Sequence, residues 1–94
     1  MRTLSTLALT FTLLAQPGLA PAAADLAAGK AKAEAVCAAC HGANGVSVAD
    51  AIPHLAGQRV AYLEAQLRAL KDGSRKNPVM NAIATQLAAD DIGN

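Results

Sequence analysis

Cys37, Cys40 and His41 form the run Cys-Ala-Ala-Cys-His, two thiols three positions apart followed at once by an imidazole. On a helical turn, residues i and i+3 share a face, so both sulfurs can reach one flat partner. This is the spacing by which a c-type haem is attached, each thiol meeting one vinyl group of the porphyrin. His41 then lies on the adjoining surface, where one ring nitrogen can approach the iron as proximal ligand. The other nitrogen would donate to a backbone carbonyl and so fix the tautomer.

Other uses of the pentapeptide fit less of it. A structural zinc site needs four ligands, and two cysteines with His41 and His54 at this separation do not supply the usual pairs. A thioredoxin-like dithiol requires strands around the motif, and no alternating or β-branched run supplies them. A plain disulfide would explain the thiols and leave His41 without a part.

A second iron ligand is the next requirement. Met80 is the one methionine beyond the initiator. A thioether is a soft, neutral ligand that favours ferrous iron and raises the reduction potential relative to a second histidine. Met80 follows a proline-containing loop that could present it across the haem from His41. His54 is the competitor, but only 13 positions separate it from His41, and one loop would have to carry the ring to the opposite face. Lysine, water or an open site are the remaining options.

The elements that must hold these groups are helical. Asp25 is a suitable N-cap for a helix running to about Cys40, with Leu26, Gly29, Ala33, Val36 and Cys37 on one stripe. Gly42 ends it, and residues 42–57, with three glycines and Pro53, read as an irregular loop. Tyr62, Leu63, Gln66, Leu67 and Leu70 give helical spacing from Gln58 to Asp72, and Gly73 is a stop. A short helix is expected from Asn81 to about Leu87. Asp90-Asp91-Ile92 reads as the first turn of another, with acids at its positive end.

Residues 1–24 have the form of an export signal: Arg2, an uncharged apolar run from Leu4 to Ala15, Pro17 and Gly18, then small residues with Ala22-Ala23-Ala24 before the cut. The run is too short for a membrane span of about 20 residues. Domains are therefore expected as a signal at 1–24 and one haem domain at 25–94. That domain keeps seven basic and seven acidic residues, a neutral balance that points away from nucleic acid. At about 70 residues an apolar core is marginal without a covalent or metal staple, and a buried haem would be that staple.

Taken together, CAACHG, Pro53-His54-Leu55-Ala56-Gly57-Gln58, Tyr62-Leu63, Gln66-Leu67, Gly73-Ser74-Arg75, Met80, and Leu87 with Asp90-Asp91-Ile92 resemble bacterial class I cytochromes c. The likeness is to small monohaem carriers and to each half of dihaem members. It implies an all-α class I fold around one covalent haem c. Cys37 and Cys40 would form the thioethers, His41 and Met80 would be axial ligands, and the Pro53 carbonyl would accept from His41. Members shuttle single electrons in the periplasm to partners such as terminal oxidases, cytochrome complexes and periplasmic dehydrogenases. They continue past the DDI segment into a C-terminal helix that crosses the first helix at a glycine, matched here by Gly29. The sequence stops at Asn94, so that helix is expected to be missing and the Gly29 stripe uncovered. A front portion of a longer or dihaem protein, or a helix donated by another subunit, would account for this.

An electron carrier is thus the leading expectation, with no substrate bound or transformed. The alternative from another class is the haem subunit or domain of a periplasmic dehydrogenase complex. A ligand-binding haem sensor would need an easily displaced sixth ligand.

Overall fold

Asp25 opens the first element as its composition requires: its carboxylate accepts from the Ala28 N–H at 2.9 Å, satisfying one of the amides that a helix start leaves unpaired. The computed structural model describes residues 23–94 together with Ala15 and Gly18; the expected export signal at 1–24 lies almost wholly outside the described residues. Helix α1 spans Leu26–Lys32, a π-turn follows at Ala33–Cys37, and α2 covers Ala38–His41. The three pieces run as one rod. Gly42, at φ +87°, ends it, and a Cβ there would overlap the Val46 carbonyl.

The loop that follows is closed on itself. The Gly45 carbonyl accepts from Leu55 N–H at 2.8 Å and from Ala56 N–H at 3.0 Å, so its two limbs are pinned together. Helix α3 spans Val60–Asp72 and stops at Gly73, whose φ of +83° is the left-handed conformation expected of a glycine terminus. It starts two residues later than its apolar periodicity suggests, because Arg59 remains extended.

Helix α4 spans Pro78–Thr85, three residues earlier than expected from the sequence. Asn77 is its N-cap, with Oδ1 accepting from Met80 N–H at 3.0 Å, and Pro78 fills the first helical position, where a missing N–H costs nothing. Lys71 of α3 closes the other end by donating to the Leu87 carbonyl. Helix α5, Ala89–Gly93, begins at Ala88, where a hydroxyl cap is lacking. Only the return half of a capping box forms there: Ala88 N–H donates to Asp91 Oδ2 at 2.8 Å.

Helix α4 packs on α3, and α5 touches both α1 and α3. Leu70, Ala84, Leu87 and Ile92 are buried where these helices meet. Each of the three large side chains contributes about 1.5–3 kcal/mol on burial. Leu26, expected on the packed stripe of α1, is instead 76% exposed. Gly29 meets the Asn94 backbone, and Asp25 N–H donates to Asn94 Oδ1 at 3.0 Å, so α5 lies on the part of α1 where the stripe was expected to be bare. The described residues are helical with no strand, as the resemblance implies.

Candidate functional site

The two thiols and the imidazole lie where the π-turn passes into α2. Ala38 N–H reaches back to the Ala33 carbonyl, one residue further than in an α-helix, which makes room for an extra residue just before the motif. Cys37 ends this wide turn half-buried, and Cys40 is exposed. Burial pushes the Cys37 thiol up from its ordinary pKa, so it stays protonated near neutral pH.

His41 is buried, and its Nδ1 lies 2.9 Å from the Pro53 carbonyl. A carbonyl only accepts, so Nδ1 carries the proton and donates. In the neutral ring Nε2 then keeps its lone pair, the form in which an imidazole binds a metal. The position of Pro53 follows from the pinned loop: besides the Gly45 bonds, Ser47 N–H donates to His54 Nδ1 at 2.8 Å. That bond occupies one nitrogen of the His54 ring in holding the loop, and the residue is exposed.

Cys37 and His41 line an open cleft of about 300 Å³ together with Ala33, Gly45, Leu55 and Ala56. The close approach of the loop to this cleft depends on Gly45, at φ +77°, where a Cβ would stand 3.0 Å from the Ala56 amide nitrogen. A paired set of thiols, an imidazole aimed by its own hydrogen bond and an apolar-walled cleft suit a covalently held haem. Among the described residues, no three His, Cys, Asp or Glu side chains converge to hold a bare metal ion.

The structure thus places Cys37 and His41 on one cleft, with Cys40 on the same helical turn and Pro53 outside the lining, joined to the site through its carbonyl's bond to His41. Met80 does not line that cleft. It is half-buried and sits in the first turn of α4 rather than on the preceding loop. The sequence signal for that placement is the dipeptide Asn77-Pro78, a cap followed by an N1 proline. Asn81, expected only as a helix start, makes three hydrogen bonds through its side chain around the turn before Met80.

Residues 26–92 match the family model described as Cytochrome c. The chain is 51% identical over 77 residues to cytochrome c4 of Pseudomonas aeruginosa, covering 82% of this chain and 38% of that protein. It is 40% identical over 75 residues to cytochrome c-554(548) of Halomonas halodenitrificans, covering 77% of this chain and 89% of the relative. Among solved structures, that of reduced recombinant cytochrome c4 from Pseudomonas stutzeri superposes with a TM-score of 0.63 at 31% identity, over 76% of this chain and 46% of the other. The chain therefore spans less than half the length of both cytochrome c4 relatives.

Proposed function

The chain belongs to the cytochrome c family, and on that premise we propose that residues 25–94 form a one-electron carrier holding one haem c. The observation that carries this reading is the hydrogen bond from His41 Nδ1 to the Pro53 carbonyl, which in the neutral ring leaves Nε2 free to bind iron, on a cleft that Cys37 also lines. Cys37 and Cys40 would hold the porphyrin through thioether bonds, and His41 and Met80 would be the protein ligands to its iron. A bound haem supplies the ferrous/ferric couple.

The chain's own part is to keep both ligands in place in either oxidation state. Two fixed protein ligands leave little to rearrange when an electron arrives, and a thioether raises the potential over a second histidine. A porphyrin would also supply an apolar body that the helices need, because the buried set holds only three large apolar side chains among the described residues. No substrate is transformed. Residues 1–24 direct export to the periplasm, where partners are other redox proteins such as terminal oxidases, cytochrome complexes or dehydrogenases. Among the described residues, no helix is long and apolar enough to cross a membrane.

The test is expression of the full chain in a host able to attach haem, followed by intact mass and visible spectrum of the exported product. One haem per chain, surviving denaturation, is the expected result. A colourless product would overturn the reading.

A further inference from the structure

The five residues between α3 and α4, Gly73 to Asn77, turn the chain from the end of one helix to the start of the next. A turn this short leaves the last carbonyls of α3 and the first amides of α4 in need of partners. Ala69 O takes Arg75 N–H at 3.0 Å. Leu70 O takes a side chain instead: Asn81 Nδ2 donates to it at 2.7 Å and, with its second hydrogen, to Arg75 O at 2.9 Å. On its other side Asn81 Oδ1 accepts from Asn77 N–H at 2.9 Å. The amide orientation is forced, since both carbonyls can only accept and the Asn77 amide can only donate.

Asn77 in turn accepts from Met80 N–H at 3.0 Å through its own side chain. A continuous relay therefore runs from the end of α3, through Asn81 and Asn77, to the backbone of Met80. One amide both caps the outgoing helix and fixes the cap of the incoming one.

We infer that Asn81 is a positioning residue for the Met80 sulfur: its three hydrogen bonds hold the first turn of α4 against α3 and thereby keep the thioether in place as the sixth iron ligand. The inference rests on the reading of Met80 as that ligand. Asparagine is required because the task needs two donors and one acceptor on a short, planar, uncharged group. Aspartate has nearly the same shape, yet it has no donor when ionised and would set a carboxylate against two carbonyls.

The experiment uses the haem-loaded full chain and four forms: wild type, Met80→Ala, Asn81→Asp and Ala84→Gly. Ala84→Gly loosens α4 from its buried side without touching the turn before Met80. The readouts are the weak far-red band of methionine-bound ferric iron and the rate at which carbon monoxide binds the reduced protein. Met80→Ala should lose the band and bind carbon monoxide rapidly; a retained band would sink the ligand reading itself. Given that loss, Asn81→Asp should bind carbon monoxide at least about tenfold faster than wild type, the equivalent of one or two lost hydrogen bonds. Ala84→Gly should stay within about twofold of wild type in this rate, although it also lowers the melting temperature. Equal rates in Asn81→Asp and wild type, or equal acceleration in Ala84→Gly, would overturn the role of Asn81 alone. If the aspartate form does not accumulate with haem, Asn81→Ser, too short to span both carbonyls, is judged by the same rates.

Discussion

Gly29 and Asn94 touch backbone to backbone: a Cβ on residue 29 would overlap the Asn94 carbonyl. Asp25 N–H bonded to Asn94 Oδ1, and Lys32 Nζ 3.5 Å from Asp91 Oδ2, reinforce the same seam between α1 and α5. Alanine in a helix is ordinarily about 1 kcal/mol better than glycine. Here the obstacle is main chain, which cannot swing aside like a side-chain tip, so Gly29→Ala should destabilise by about 1–3 kcal/mol. Thermal unfolding of the haem-loaded protein checks this, and an unchanged or raised melting temperature would count against the seam.

His54 gives its Nδ1 to the Ser47 amide. His54→Ala should therefore cost about 1 kcal/mol of stability, the worth of one hydrogen bond, and should leave the far-red band of the ferric protein intact. A wild type without that band, whose six-coordinate spectrum is lost in His54→Ala, would transfer the ligand role from Met80 to His54.

Asn77 caps α4 through its side chain. Replacing it with alanine removes that acceptor, and denaturant titration should show a loss of about 0.5–2 kcal/mol. An Asn77→Asp protein should recover most of the loss, because a carboxylate accepts the same bond at the positive end of the helix.

Asp72 has its pKa lowered by Ser74, by the nearby hydroxyl first and then by the backbone N–H, which donates to Asp72 Oδ1 at 2.8 Å. A carboxyl whose folded pKa lies below its unfolded value of about 4 adds stability above that value and loses it as pH falls through the lower, folded one. Melting temperatures of Asp72→Asn and wild type should thus converge as pH drops below about 4 and separate above it. Parallel curves across that range would show that the pair has no effect on folding.

Much of this architecture was legible because its signals are local. Asp25 as a cap, Gly42 and Gly73 as stops, and the acids of Asp90-Asp91 at a helix start each act within a few residues, and each stands where the sequence reading put it. The cysteine-histidine motif was readable for the same reason. Helix α4 starts before the expected Asn81 because Asn77-Pro78, a cap followed by an N1 proline, is a start signal that apolar periodicity does not carry. The π-turn had no sequence mark, since it arises when one hydrogen bond skips a residue along an otherwise helical run. Asn81 was opaque for a deeper reason: its partners Leu70 and Arg75 belong to another helix and a turn, and periodicity carries no information about carbonyls it will meet.

Leu70, Leu87 and Ile92 each retain 5–7% exposure even in the folded chain. With so few large apolar side chains buried among the described residues, the chain without haem is expected to be cut by a protease faster than the haem-loaded chain, and limited proteolysis of the two forms side by side checks this.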